Sequence, residues 1–216
     1  NFRLHLYCVD PAKNLQERLD RGLATVYFSA TLLPVQYYKQ LLSTRTDNYA
    51  VYAESVFSPN QRLLAVGTDV SSLYTRRTEA EYQRMASYIK KTASAQQGNY
   101  LVFFPSYQLM QDVFTCFLQQ NLGKMDCIIQ ESNMTGQKRE EFLGEFQKER
   151  KQSLVAFGVM GGIFSEGIDL REEQLIGVLI VGTGLPQICT EREILRRYYE
   201  KQNGMGFDYA YLYPGM

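Results

Sequence analysis

Strand-length apolar runs alternate with helical segments along almost the whole of this chain, and that alternation constrains its fold more than any other feature. The runs are rich in Val, Ile, Phe and Tyr and cover residues 4–9, 24–29, 63–67, 100–104, 125–129, 154–158, 177–181 and 209–213. Between most of them the apolar period lengthens from two to about 3.6 residues. The clearest helix covers 78–92, where Tyr82, Met85, Ala86 and Ile89 share one face. Thr78 suits its N-cap, with Glu81 placed to complete a capping box. Further helices fit 11–19, 34–42, 107–120, 137–150 and 190–201. In 137–150 the apolar Phe142, Leu143 and Phe146 make a narrow stripe, as in a surface helix laid on a sheet. Strands alternating with helices in this way build right-handed βαβ units, so the fold class is α/β with a mostly parallel central sheet covered on both sides.

Composition narrows the class. With 216 residues, 45% hydrophobic and 21% charged, the chain can bury one sizeable core in water. No stretch approaches the roughly 20 apolar residues that span a bilayer. Residues 1–10 lack the zones of a signal peptide, so a cytoplasmic protein with no membrane partner is expected. Cys8, Cys116, Cys127 and Cys189 stand far apart, three of them in apolar runs. Such placement suits buried thiols rather than disulfides and matches no close-set zinc or iron–sulfur pattern, so no metal is expected in the chain. The formal net charge is zero, and any binding of a polyanion has to be local. Residues 43–60 are polar, end in Ser58-Pro59-Asn60 and read as a long connection. Lacking an initiator Met and ending soon after the run 209–213, the sequence reads as a piece of a longer protein, with one domain over 1–216.

In open α/β sheets ligands gather beyond the carboxyl ends of the strands, which directs attention to three segments. Ser29 and Thr31 follow a strand-like run and precede Pro34. They suit a helix cap or a contact to a phosphate or a neighbouring motif. Ser106 follows Pro105, and a helix starts near Tyr107. It suits a plain cap or an anion site built with free backbone N–H groups. In the third segment Gly158, Gly161, Gly162 and Gly167 loosen the backbone around the carboxylates of Glu166 and Asp169. Those carboxylates suit turn caps, or contacts to a ribose hydroxyl, a metal-bound water or an arginine. No G-x-x-x-x-G-K-[ST] loop occurs in the chain. Of the basic pairs that can follow a phosphate backbone, Arg76-Arg77 is preferred over Lys90-Lys91 and Arg196-Arg197.

In this order and at these separations the three segments resemble motifs III, IV and V of the superfamily 2 DNA helicases related to DinG and XPD. Ser29-Ala-Thr-Leu32 is similar to motif III, Leu101-Val-Phe-Phe-Pro-Ser-Tyr107 to motif IV, and Gly162-Ile-Phe-Ser-Glu-Gly-Ile-Asp-Leu170 to motif V. The resemblance implies a RecA-like three-layer α/β/α fold. It also implies the second of two motor lobes, which bind ATP and Mg²⁺ between them and move single-stranded DNA across both, 5′ to 3′. By motif, Ser29 and Thr31 would couple the nucleotide cleft to DNA, and Ser106 and Tyr107 would contact DNA; Arg76 and Arg77, outside the motifs, are the basic pair expected to join them. Gly162, Ser165 and Gly167 would line the nucleotide, with Glu166 and Asp169 as the catalytic carboxylates.

The same resemblance makes the first lobe of the parent chain a partner, with residues 1–33 read as a segment bridging to it. Motif VI, a Gln…Gly-Arg…Arg stretch, would follow Met216. Without it and the first lobe's phosphate-binding motifs, the chain is expected not to hydrolyse ATP alone. The family's cluster-binding cysteines belong to the first lobe, so an iron–sulfur cluster is compatible with the parent protein but not with this chain. Two other functions share the architecture: a nucleotide-independent module that binds single-stranded DNA or a protein, and a small-molecule transferase.

Overall fold

The structure, a computed structural model, describes residues 4–29, 31–161, 164 and 168–215. Among these the chain forms, in order, α1 (Ala12–Leu19), α2 (Val35–Leu42), α3 (Glu79–Ala95), β1 (Asn99–Phe104), α4 (Tyr107–Asn121), β2 (Asp126–Ile129), α5 (Gly136–Gly144), β3 (Leu154–Val159), β4 (Gly177–Ile180) and α6 (Thr190–Asn203). Two compact units result, Ala65–Gly184, and Asn1–Leu64 with Leu185–Met216.

The first of these units holds the sheet. Its strand order is β2-β3-β1-β4 and every pairing is parallel, with Tyr100 opposite Val155 and Gly177, and Cys127 also opposite Val155. Parallel neighbours cannot be joined by a hairpin, so α4 and α5 carry the chain between strands. Side chains alternate across the pleat. Tyr100, Val102 and Phe104 of β1 join Val155, Phe157 and Val159 of β3 in a core closed by Met85, Ile89, Val113 and Phe117 of α3 and α4. On the opposite face Leu101, Leu154 and Ala156 meet Phe142, Phe146 and Phe164. Helices on both faces of one parallel sheet make a three-layer α/β/α unit, as the periodicity requires. Phe157 sits at its centre, with the rings of Phe114, Phe117 and Phe104 at 5.0, 5.3 and 5.9 Å.

Local chemistry sets the helix boundaries. Thr78 accepts a hydrogen bond from the Glu81 N–H at 3.3 Å and starts α3. The second half of the expected capping box is replaced, because the Glu81 carboxylate accepts from the Ser71 N–H instead. Thr135 caps α5 in the same way. That helix is shorter than 137–150 and tightens into a 3₁₀ turn, Glu145–Gln147. The turn buries Phe146 while Arg150 reaches back to Glu145 and Asp126.

The second unit departs from the periodicity. The runs 4–9 and 24–29 form no strand, nor does 63–67 at the boundary of the two units, and most of their apolar side chains are exposed, with Leu6 at 89%, Phe28 at 90% and Leu63 at 94%. An isolated extended segment leaves its backbone donors and acceptors to water, so apolar alternation does not make a strand until a neighbour supplies the ladder. The run 209–213 is helical instead, within a π-helical segment Asp208–Leu212. Its alternating tyrosines serve different neighbours: Tyr209 stacks on Tyr199 at 4.2 Å and meets Tyr37 at 5.0 Å, whereas the Tyr211 hydroxyl donates to Glu193 at 2.8 Å. Residues 43–58 carry neither helix nor strand, as the long polar connection suggests. Cys8 lies exposed in the unpaired run 4–9, Cys116 is buried, and burial pushes the half-buried Cys127 thiol up to about 11.

Gly177 of β4 lies under the ring of Tyr100, where an added Cβ would approach two ring carbons to 2.6 Å. The ring cannot easily yield, since Tyr100 is buried and its hydroxyl donates to the Gln96 carbonyl at 2.7 Å. Gly177→Ala is therefore expected to destabilise the chain by about 1–3 kcal/mol through overpacking. Urea unfolding with an unchanged m-value checks this, and a stability equal to wild type contradicts it.

Candidate functional site

The two ends of the sheet differ in chemistry. At the amino end polar side chains are bound to one another. Asn99 is buried and donates to the carbonyls of Phe146 and Gln174 at 3.0 and 3.1 Å, and the Ser153 hydroxyl donates to that of Ala93 at 2.8 Å. Arg150 bridges Asp126 and Glu145 there, and hydrogen bonds from Gln152 to Asp126 and from Lys148 to Glu145, with Arg150 adding to both, hold the two carboxyls below their usual range. These contacts hold the fold and leave little for a ligand.

At the carboxyl end the loops open outward. Ser106 is the N-cap of α4, its hydroxyl accepting from the Leu109 N–H at 3.4 Å. Tyr107 follows, 40% exposed, and its hydroxyl accepts from Gln130 Nε2 at 2.8 Å. Gln130, just past β2, is 3% exposed and also accepts the Val159 N–H at 2.8 Å, so it ties the ends of β2 and β3 to the start of α4. The start of α4 (Tyr107, Gln108, Gln111) and the segment after β2 (Gln130, Glu131, Ser132) line an open depression of ≈ 520 Å³.

The basic pair lies in the segment before α3, joined to the same end of the sheet. Arg77 donates to the Ser72 carbonyl at 3.2 Å and lies 5.4 Å from the ring centroid of Tyr74. Ser72 packs over Gly182, beyond β4, where an added Cβ would come within 2.6 Å of its hydroxyl and 3.8 Å of Pro105. Gly182 also has φ +87°, a conformation that glycine adopts without strain. Arg76 pairs with Glu81 at 3.4 Å. Glu81 gathers Arg84 at 2.5 Å and the Ser71 N–H at 3.1 Å as well, so one buried carboxylate anchors the whole 71–77 segment.

Of the loop after β3, Gly161 has φ +69° and Phe164 is buried, stacked on Phe142 at 4.4 Å. Gly162, Ser165, Glu166 and Gly167 lie outside the described residues. Asp169 is described: its side chain is 72% exposed and Oδ2 accepts from Arg171 Nη2 at 2.7 Å and Nε at 3.0 Å. The hydrogen bond and charge of Arg171 hold its carboxyl below the usual range. Ser29 and Thr31 belong to the other unit; both are exposed, and the Thr31 N–H donates to the Ser29 hydroxyl at 3.2 Å. Ser106 and Tyr107 thus share one end of the sheet with Arg77, while Asp169 stands paired with Arg171. Among the described residues no three His, Cys, Asp or Glu side chains gather as a metal site. Among them no helix is long and apolar enough to cross a membrane.

Comparison with known families decides the class. A family model described as a helicase C-terminal domain matches residues 89–216, which include the sheet, the first turn of α4 and the loop after β3. The chain belongs to the helicase C-terminal domain family. An ATP-dependent DNA helicase CHL1 from Debaryomyces hansenii is 30% identical over 110 residues, which cover 48% of this chain and 13% of that protein. An ATP-dependent DNA helicase XPD from Sulfolobus acidocaldarius is 26% identical over 208 residues, 91% of this chain and 35% of the relative. A solved apo XPD structure superposes with a TM-score of 0.54 at 23% identity, over 68% of this chain and 29% of that one, and shows the RecA-like fold. The chain therefore spans roughly an eighth to a third of the length of these relatives.

The carboxyl end of the sheet also carries one structural link that motif reading passed over. Gln130 gave no signal beyond a polar residue directly after a strand-like run, since its partners Val159 and Tyr107 are remote in sequence.

Glu81 yields a pH prediction. Its carboxyl is lowered by the hydrogen bond from Arg84 first, with the Ser71 N–H adding to it. A depressed acid contributes stability in full above its unfolded value, about pH 4.3, and loses it as pH falls through the folded value. As pH falls below about 4.3, wild type is expected to lose unfolding free energy more steeply than Glu81→Gln. Parallel pH profiles of thermal unfolding for the two proteins refute this.

Proposed function

We propose that this chain is the second RecA-like lobe of an ATP-dependent DNA helicase that moves 5′ to 3′ along single-stranded DNA. In this reading ATP and Mg²⁺ are shared with the first lobe of the same protein, which works in the cytoplasm. The observation that carries it is the family match over 89–216, which contains both the Ser106-Tyr107 corner and the glycine-rich loop at the carboxyl end of one parallel sheet. The relatives' names, ATP-dependent DNA helicase, support the same activity here.

Within that reading the carboxyl-end corner of Ser106, Tyr107, Arg76 and Arg77 contacts the DNA. Ser29 and Thr31 link DNA to the nucleotide cleft, and Gly162, Ser165 and Gly167 line it. Glu166 and Asp169 face the nucleotide or an arginine of the other lobe. The Asp169–Arg171 pair suits this role: both partners are exposed, so an exchange of partner costs little. Phosphoryl transfer asks a protein mainly for placement and electrostatics, which two lobes closing on one nucleotide supply.

The whole of 1–216 acts as this lobe, with residues 1–33 leading to the first. The exposed apolar runs 4–9 and 24–29 support that assignment, since they have strand composition and form no strand among the described residues. A sheet outside this chain would supply their ladder.

In the full-length protein, Glu166→Ala or Asp169→Ala is expected to lower DNA-stimulated ATP hydrolysis by about ten- to a hundredfold, with thermal unfolding unchanged. Near-normal turnover by a folded variant counts against the assignment. The 216-residue chain alone is expected to bind single-stranded oligonucleotides weakly, with affinity falling as salt rises, and to hydrolyse no ATP. Turnover above background by the purified chain overturns the picture of a shared cleft.

A further inference from the structure

We propose that Gln130 is a positioning residue that makes the Tyr107 hydroxyl a dedicated hydrogen-bond donor to a phosphate oxygen of single-stranded DNA. The proposal rests on the helicase-lobe reading and adds to it a residue and a direction of hydrogen bonding.

The starting point is an amide whose orientation is fixed. Gln130 is 3% exposed, and its own N–H continues the ladder to the Phe157 carbonyl at 2.8 Å. Its side chain meets the Val159 N–H at 2.8 Å. A backbone N–H only donates, so the side-chain atom facing it must be the oxygen. The NH₂ group is thereby turned to the other side, where Nε2 lies 2.8 Å from the Tyr107 hydroxyl. An amide nitrogen only donates, so the phenol oxygen must accept. Tyr107 has one proton, and with its oxygen engaged inward that proton is left for a partner outside.

The neighbouring residue repeats the pattern. Ser106 accepts from the Leu109 N–H, which leaves its proton unused as well. Two adjacent hydroxyls, each engaged inward as an acceptor, keep their protons for partners outside. Tyr107 is 40% exposed and lines the open depression, so its donor is within reach of a ligand. The complementary partner is a group that accepts and never donates. A phosphate oxygen meets that requirement, and its charge strengthens each bond. Most base edges mix donors with acceptors and would need a hydroxyl free to do either.

The test is a double-mutant cycle in the full-length protein, with binding of a fluorescent single-stranded oligonucleotide as readout. Tyr107→Phe removes the donor and no charge, and is expected to weaken binding about tenfold with an unchanged salt slope. In Gln130→Glu an oxygen can still accept from Val159, but the carboxylate now accepts the Tyr107 proton, so the hydroxyl presents a lone pair outward. A loss of about tenfold or more is expected. In the Tyr107→Phe background the same change is expected to add little, because there is no hydroxyl left to reverse.

Binding by Gln130→Glu equal to wild type in a folded protein overturns the proposal. So does a double variant weakened by the product of the two single losses, which would mean a charge effect that does not pass through Tyr107. Should Gln130→Glu not fold, Gln130→Met keeps the length and drops the donor. It is then expected to weaken binding in the wild type and not in Tyr107→Phe, and the opposite pattern overturns the proposal. If wild type binds no single-stranded DNA, both this inference and the helicase-lobe reading fail. If it binds and the cycle shows no coupling, only this inference fails.

Discussion

The parallel pairing of β1 with β3 is the contact on which the rest of this structure depends. It spans all six residues of each strand, from Asn99 opposite Leu154 to Phe104 opposite Val159, and it brings together segments more than fifty residues apart. Alternation across that ladder places Tyr100, Val102 and Phe157 on one face and Leu101 and Ala156 on the other, so one pairing creates both cores at once. Because α3 and α4 close one face and α5 with Phe146 and Phe164 closes the other, loss of the ladder would expose the apolar surface of three layers.

The same pairing gives the two ends of the sheet different chemistry. Asn99, Ser153, Asp126 and Arg150 fall at the amino ends of the strands and are bound to one another or to nearby carbonyls. Ser106, Tyr107, Gln130 and the glycine-rich loop fall at the carboxyl ends, where parallel strands release their chains into loops and helix N-termini. Since all strands run one way, every carboxyl end lies at one edge, and chemistry-bearing residues scattered over the sequence converge there. Tyr107 thereby shares a rigid base with the strand that feeds the glycine-rich loop. Gln130 is the physical link, through Val159.

Much of the sheet unit was legible in its residues. Runs 100–104, 125–129, 154–158 and 177–181 became β1 to β4 within a residue or two, and Tyr82, Met85, Ala86 and Ile89 marked the buried side of α3. The Ser106 cap followed from a hydroxyl placed directly before a helix. Gln130 was not legible, because a buried amide is defined by what surrounds it and its partners lie 23 and 29 positions away. Asp169 was legible as a carboxylate in a glycine-rich segment, yet its exposed pairing with Arg171 depends on where the loop turns.

Apolar periodicity and capping chemistry are local properties, so the sequence by itself determined the α/β class, the capped starts of α3 and α4 and which side of the sheet strands and of α3 is apolar. Pairing is not local. Runs 4–9, 24–29 and 63–67 have the composition of strands and remain single, while Tyr209 to Tyr213 alternate like a strand and coil into a helix against Tyr37 and Tyr199. A strand exists only when a neighbour completes its hydrogen bonds, whereas a helix completes its own. Tertiary structure alone therefore decided which apolar runs joined the sheet, and which polar groups met at its open end.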